Sequence, residues 1–216
     1  MSAVPVAARA DRRYTIIEYL RLEDETGEKW EFFDGEVWSW EAMAGTTKPH
    51  NRIARNALRL IGDHLDGSSC GEYDADMKLM IEASNTIRYP DAAVACDDDA
   101  ASQKMIRRPR LLIEVTSDSS VTSDHQHKAL MYTSQLPTLR EYLIIEQHSP
   151  AATLHRRLGT TTRWVTTWYE GLEAELTLES IELTLRLVDL YRHVVWEGGR
   201  AVERLGHGLP TPDDLA

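Results

Sequence analysis

The sequence predicts a mixed α/β fold, because two kinds of hydrophobic pattern alternate along the chain. Residues 48–66 carry apolar side chains at helical spacing, which is typical of a helix with one buried face. Other runs are short, apolar and rich in β-branched residues, which favours buried strands. These strand-like runs are residues 77–82, 87–96, 111–115 and 142–146.

The N-terminal third is predicted to form a helix, a hairpin and a second helix. Residues 15–25 are amphipathic and favour a short helix. Residues 29–40 contain two aromatic-rich runs joined by Asp34-Gly35, a dipeptide typical of tight hairpin turns. The helix at 48–66 follows, and His50 in its first turn is more often a structural than a catalytic residue in such a place.

The rest of the chain is predicted to alternate between strands and helices. A helix begins at Ser123, where Gln126 completes a capping box, and Leu136-Pro137 ends it after about Gln135. The later predictions are a pair of antiparallel strands at 152–157 and 163–168, an edge strand at 176–185 and a short helix within 187–195. We expect one domain at 14–196, with flexible tails at 1–13 and 197–216.

Composition and charge argue against a nucleic-acid-coating protein, a membrane protein and a disulfide-rich protein. The net charge of −11 argues against a protein that coats nucleic acid through a broad basic surface, although metal-binding carboxylates add to such a count. The one basic stripe, formed by Arg52, Arg55 and Arg59, is interpreted as a solvated helix face. No apolar run approaches the roughly 20 residues that span a bilayer, so no membrane partner is expected. Two cysteines are too few for a disulfide framework, and we expect a cytoplasmic protein.

The most informative segment, residues 87–128, places carboxylates on buried strands. Glu114 lies in the apolar run 111–115, where an ionised carboxylate is costly without a partner or a metal. Strand alternation puts Glu114 on the same face as Leu112 and Thr116. Asp91 precedes another strand-like run, so pairing of the two strands would bring both carboxylates to one Mg²⁺ ion.

Lys128, on the helix after the Glu114 strand, is the candidate cation of this site. A lysine there can orient a metal-bound water and stabilise negative charge that develops during phosphoryl transfer. Purely structural roles stay open at this point: Asp91 could cap a turn, Glu114 could pair with an arginine, and Lys128 could pair with Asp124 on the surface. Acyl transfer by Ser117 or Ser119 is a weaker alternative, since no Gly-x-Ser-x-Gly elbow is present.

Several segments together resemble a known family. They are Tyr89-Pro90-Asp91, the run Leu112–Ser117, Asp124 with Lys128 and Tyr132, and Leu139–Tyr142, with Trp30–Val37 and the helix near His50 upstream. In this order they look like the Uma-type putative restriction endonucleases of the PD-(D/E)XK nuclease superfamily. The resemblance covers about residues 14–157.

The resemblance implies a central mixed sheet flanked by helices, which is a restriction-endonuclease-like fold, and Mg²⁺-dependent hydrolysis of DNA, with Mn²⁺ as a substitute. It implies metal binding by Asp91, Glu114 and Val115 and a catalytic role for Lys128. Glu31 becomes a supplementary acidic residue of the site. The lysine of the general superfamily pattern is replaced by Thr116, so Lys128 must supply its function.

Two further expectations follow. His50 and Tyr132 are expected to support the metal ligands. A homodimer is expected because Trp30, Trp38 and Trp40 give the hairpin much aromatic surface and because double-strand cleavage favours twofold partners. The alternative function, suggested by the acidic charge, is a non-catalytic binding or assembly module on a nuclease-like fold.

Overall fold

The structure is a computed structural model that describes residues 12–39, 47–96, 104–116 and 122–215. For residues 122–125 it describes the helical backbone only. Residues 1–11 of the expected N-terminal tail, Trp40 and the capping-box side chain of Ser123 therefore lie outside the described part. Arg12 and Arg13 are described, and both form ion pairs, with Glu18 and Asp34 respectively.

The described elements alternate largely as the sequence predicts. The helices are α1 (Ile16–Thr26), α2 (Lys48–Leu65), α3 (Thr122–Gln135) and α4 (Leu187–Leu190), with short 3-10 helices at Glu82–Ser84 and Pro212–Leu215. The first strands are β1 (Trp30–Phe33), β2 (Glu36–Ser39), β3 (Cys70–Asp74), β4 (Lys78–Ile81), β5 (Thr86–Arg88), β6 (Ala92–Cys96), β7 (Met105–Ile106) and β8 (Pro109–Val115). The later strands are β9 (Glu141–Ile145), β10 (Ala151–Arg157), β11 (Trp164–Glu170), β12 (Glu175–Leu178), β13 (Leu183–Arg186), β14 (Val194–Glu197) and β15 (Arg200–Glu203).

Two large sheets hold eleven of the described strands, and β12–β13 and β14–β15 form two further two-stranded sheets. The larger has six strands in the order β11-β10-β9-β8-β6-β3, and its central pair β8–β9 is parallel while its other neighbours are antiparallel. The smaller has five strands in the order β2-β1-β5-β4-β7. The predicted central mixed sheet is confirmed, and so is the hairpin at Asp34-Gly35, which joins β1 to β2.

The six-stranded sheet is covered on both faces. On one face, α2 contributes Ile53, Ala57 and Ile61 to a core with alternate residues of β8 and with the C-terminal hairpins. On the other face, Leu112 of β8 packs with Tyr132 of α3. Because successive side chains of a strand point to opposite faces, Glu114 lies on the α3 side, as the sequence predicts.

The strand predicted at 87–96 is wrong in one respect, since it is two strands. Thr86–Arg88 pairs within the five-stranded sheet, whereas Ala92–Cys96 pairs with β3 and β8 in the six-stranded sheet. Pro90 lies between them and lacks the N–H that a continuing ladder would need. Asp91 therefore stands where the chain passes from one sheet to the other.

Two C-terminal predictions also need correction. The edge strand predicted at 176–185 is a hairpin, β12–β13, in which Glu182 takes a positive φ of 56°. Residues 197–216, expected as a flexible tail, contain strand β15, which pairs with β14. Glu203 at the end of β15 forms an ion pair with Arg52 of α2, so this segment is attached to the domain.

The two cysteines, expected to form no disulfide framework, are bonded to each other in the structure. Cys70 and Cys96 occupy opposite positions on the antiparallel strands β3 and β6. The sequence pattern could not show this, because the pairing depends on a strand register set by distant residues. In the described part of the chain, no helix combines the length and the apolar character that crossing a membrane would require.

Candidate active site

Asp91 is held at the end of β8 by main-chain and side-chain contacts. Its Oδ2 atom accepts a hydrogen bond of 2.7 Å from the backbone N–H of Val115. His50 Nε2 lies 3.3 Å from the same oxygen and 3.0 Å from the carbonyl oxygen of Val115. One carboxylate oxygen of Asp91 and one main-chain oxygen of β8 therefore both lie within reach of His50 Nε2.

Glu114 is the buried carboxylate of the site, with 5% of its surface exposed. Lys128 of α3 donates to Glu114 Oε2 at 3.1 Å, and the hydroxyl of Tyr132 donates to Oε1 at 3.1 Å. Lys128 and Tyr132 are four residues apart on a helix, so they lie on the same face and reach the two oxygens together. Three residues that the sequence analysis singled out, Glu114, Lys128 and Tyr132, are therefore in contact with one another.

The charges around Glu114 oppose one another. Burial raises the pKa of Glu114, the positive charge of Lys128 lowers it, and the negative charge of Asp91 raises it again, with a net upward shift. Burial followed by the charge of Glu114 also raises the pKa of Tyr132, so its hydroxyl keeps its proton and remains a donor. The two carboxylates are close enough to repel, which a cation between them would relieve.

His50 is buried beside Asp91 rather than serving only as a packing residue. Burial alone would lower the pKa of His50, but its hydrogen bond to Asp91 and the charge of that carboxylate raise it overall. The position follows from α2, whose N-cap Thr47 accepts from the backbone N–H of His50 at 3.2 Å. Thr47 also donates to Gln147 Oε1 at 2.9 Å, which ties the start of α2 to the segment after β9.

Glu31 is placed differently from the expectation for a supplementary acid. It is 8% exposed on β1 and forms an ion pair with Arg88 at the end of β5. The charge of Arg88 in turn reaches Tyr132, where it lowers the pKa against the larger upward effects. Glu31 thus has Arg88 as its partner, and sequence spacing gave no signal for this arginine.

Thr116, which stands where the general superfamily pattern has a lysine, has a structural partner. Its hydroxyl donates to Glu146 Oε2 at 3.0 Å and accepts from the backbone N–H of Gln147 at 2.9 Å. These bonds join the ends of the parallel strands β8 and β9. The sequence did not single out Glu146 and Gln147 as partners of Thr116, although polar residues directly after a buried strand can indicate a site at its end.

The donor set at the end of β8 has the chemistry of a hard-cation site. The carboxylates of Asp91 and Glu114 and the carbonyl of Val115 are oxygen donors, and Mg²⁺ in proteins commonly takes one or two carboxylates together with water. Within the described ranges, no group of three or more His, Cys, Asp or Glu side chains is arranged to hold a metal. The fit therefore requires the main-chain oxygen and water to complete the coordination.

The site opens into a cleft of about 900 Å³ between α2 and the β3–β4 connection. Asp91 and His50 line it, as do Arg55 and Arg59 of the predicted basic stripe and the carboxylates of Asp63, Glu72, Asp74 and Asp76. The interpretation of that stripe as a uniform solvated face is thus incomplete. Arg52 pairs with Glu203 and Arg59 with Asp63, whereas exposed Arg55 faces the cleft.

The chain has a restriction-endonuclease-like fold. The chain is similar in structure to a putative nuclease belonging to DUF820 from Anabaena variabilis, with a TM-score of 0.65 at 15% identity. That match covers 82% of this chain and 97% of the other.

The sequence comparisons identify the family. The Uma2 family, described as "Putative restriction endonuclease", matches residues 16–188. An uncharacterized protein of Synechocystis sp. is 32% identical over 176 residues, covering 81% of this chain and 90% of that protein. A second uncharacterized protein of that organism is 30% identical over 172 residues, covering 78% and 94%. The chain belongs to the Uma2 family.

Proposed function

We propose that the protein is a Mg²⁺-dependent endonuclease that hydrolyses phosphodiester bonds of DNA. The observation that carries the proposal is the convergence of Asp91, Glu114 and Lys128 at the end of β8, beside a cleft lined by arginines of α2 and by several carboxylates. Membership of the Uma2 family supports a nuclease activity.

In this proposal, the chain's own residues hold and orient the reacting groups. Asp91, Glu114 and the carbonyl of Val115 hold the ion, which when bound polarises a phosphoryl oxygen and lowers the pKa of a coordinated water. Lys128 orients the attacking water and stabilises the negative charge that develops on the phosphate. Tyr132 and His50 keep Glu114 and Asp91 in position through their hydrogen bonds. Glu31, which forms an ion pair with Arg88, is proposed as a supplementary acidic residue of the site.

Cleavage of supercoiled plasmid and of a duplex oligonucleotide tests the function. With Mg²⁺ or Mn²⁺ we expect cleavage by the wild type, no cleavage with a chelator, and a loss of about 100-fold or more in Asp91→Asn and Lys128→Ala, because the ion or the charge-stabilising group is removed. Arg107→Gln, an exposed arginine paired with Glu82, is the matched control and should retain full activity. Equal residual activity in all variants would identify a contaminating nuclease and reject the proposal.

The net charge of −11 favours a second candidate function, that of a non-catalytic binding or assembly module. The two candidates differ in their response to metal. A ligand that binds the native state raises the melting temperature, by an amount set by its concentration over its dissociation constant. A nuclease site should show a Mn²⁺-dependent rise in the wild type that is absent in Asp91→Asn. A module should show none.

A further inference from the structure

A second concentration of charge lies at the other end of β8. Arg110 is the second residue of that strand and Glu114 the sixth, so the two are separated by about 13 Å of extended chain. Here an open cavity of about 360 Å³ is lined by four arginines. We call it the arginine cavity, and its arginines are Arg110, Arg140, Arg156 and Arg157. Such a grouping is unexpected in a chain with a net charge of −11.

Only part of this positive charge is neutralised by the carboxylates that line the cavity. Arg156 forms ion pairs with buried Glu141 at 2.8 Å and with Glu179 at 2.9 Å. Glu141 also accepts hydrogen bonds from the backbone N–H groups of Glu179 and Ser180, so its charge is already shared.

The other three arginines are held by main-chain carbonyls. Arg110 Nε donates to the carbonyl of Ser180 at 2.7 Å, and Arg140 Nη1 donates to that of Gly159 at 2.5 Å. Arg157 Nε donates to the carbonyl of Leu139 at 2.8 Å. A carbonyl oxygen orients a guanidinium without cancelling its charge, so these contacts pre-position three cations around one space.

The like charges oppose one another. Burial, followed by the nearby charge of Arg140, lowers the pKa of Arg157. Arg157 is also fixed by its stack on Trp164, with 4.5 Å between the guanidinium carbon and the ring centroid. A fixed group of mutually repelling cations is stabilised when an anion binds between them, because its charge offsets their repulsion. Arg157 already donates to four carbonyls, so Arg110 and Arg140 have the most donors left for charge-assisted hydrogen bonds to the anion.

We propose that the arginine cavity binds a phosphate group, either as a free phosphate or pyrophosphate or as a backbone phosphate of nucleic acid. The planar fork of arginine donors matches the oxygens of phosphate and can bond two of them at once. The site lies away from Asp91 and Glu114 and does not depend on the proposed nuclease activity.

Calorimetric titration with inorganic pyrophosphate at fixed ionic strength tests the free anion, and titration of a fluorescent 20-base-pair duplex in the absence of divalent metal tests the backbone phosphate. The variants are Arg110→Gln, Arg140→Gln and their combination. Arg107→Gln is the control, because it removes the same charge from an exposed site elsewhere. We expect about a tenfold loss of affinity for each cavity arginine removed and no change in the control.

Binding of one pyrophosphate per chain that weakens only in the cavity variants would support the proposal with a free anion as ligand. Duplex binding alone that weakens only in these variants would support it with a nucleic-acid phosphate as ligand. Equal affinities in all variants, or the same loss in Arg107→Gln, would overturn it. Because Arg110 is exposed, Arg110→Gln serves if the combined variant does not fold. Arg140→Lys, which keeps charge but not the planar fork, should bind with intermediate affinity.

Discussion

Glu114 shows how opposing effects are balanced at a single residue. Burial favours its neutral form, while Lys128 and Tyr132 donate to its two oxygens and favour the charged one. A buried ion pair adds little net stability compared with apolar side chains of the same size, but breaking it leaves an uncompensated charge. The arrangement therefore keeps a carboxylate at a cost to the metal-free protein, which is consistent with a site selected for binding.

A double-mutant cycle on Glu114 and Lys128 tests this pair. In urea unfolding with a chelator present, we expect Lys128→Met to lower the free energy of unfolding by about 1–3 kcal/mol, because Glu114 loses its cation. Adding Glu114→Gln should restore most of that loss. The control cycle on Arg59 and Asp63, an exposed pair, should give a coupling of about 0.5 kcal/mol or less. A coupling as small for the buried pair would contradict the description.

The residues of the site differ in how far the sequence could predict them. A carboxylate inside an apolar strand is a local anomaly, so Glu114 could be singled out from its neighbours alone, whereas the role of Lys128 and that of Tyr132 were implied by the family resemblance. Glu31 illustrates the opposite case. Its partner Arg88 is 57 positions away in sequence, and only the pairing of β1 with β5 brings them together.

At the scale of elements, the junction between β5 and β6 decides where Asp91 lies. The sequence predicted one strand at 87–96, and the apolar pattern on both sides of Pro90 is indeed strand-like. A hydrophobic pattern shows which residues are buried but not which sheet buries them, so the switch of sheets could not be read from it. The same reasoning applies to 176–185, where regular alternation concealed a turn.

The N-terminus of α2 is predicted to affect activity as well as stability. Thr47→Ala removes the cap of α2 and the bond to Gln147, and we expect a loss of about 1–2 kcal/mol of unfolding free energy with a several-fold loss of cleavage, because His50 is released.

Thr15→Ala is the matched control for that prediction. Thr15 caps α1 through a capping box with Glu18, in a helix that packs on the five-stranded sheet. Its loss should cost about 1 kcal/mol and leave cleavage unchanged under conditions where both variants are folded. Equal effects of the two substitutions on cleavage would show that α2 has no special role.

For the whole molecule, the Cys70–Cys96 disulfide closes a loop that includes β3 to β6. A cross-link restricts the unfolded chain, and for a separation of 26 residues the stabilisation is about 3.5 kcal/mol. Reduction, or the Cys70→Ser/Cys96→Ser variant, should therefore lower the free energy of unfolding by about that amount. The reductant should have no effect on the serine variant. A wild type insensitive to reductant would contradict the bonded state.

The homodimer remains a proposal, and of the described hairpin tryptophans only Trp38 now supports it. Trp30 is only 6% exposed and belongs to the core of α1 and the five-stranded sheet, so it offers no surface to a partner. Trp38 is 40% exposed, and Trp40 lies outside the described residues. Sedimentation velocity at micromolar concentration should show a dimer that Trp38→Ser weakens. A monomer at all concentrations would remove the proposal.

We propose that Asp91, Glu114 and Val115 form the metal centre of a nuclease. A crystal soaked with Mn²⁺ and measured for anomalous scattering tests this proposal. We expect a peak within about 2.3 Å of a carboxylate oxygen of Asp91, a carboxylate oxygen of Glu114 and the carbonyl oxygen of Val115, and no such peak in Asp91→Asn. A wild-type crystal that binds Mn²⁺ elsewhere, or that keeps His50 on the Val115 carbonyl with no ion at saturating Mn²⁺, would contradict it.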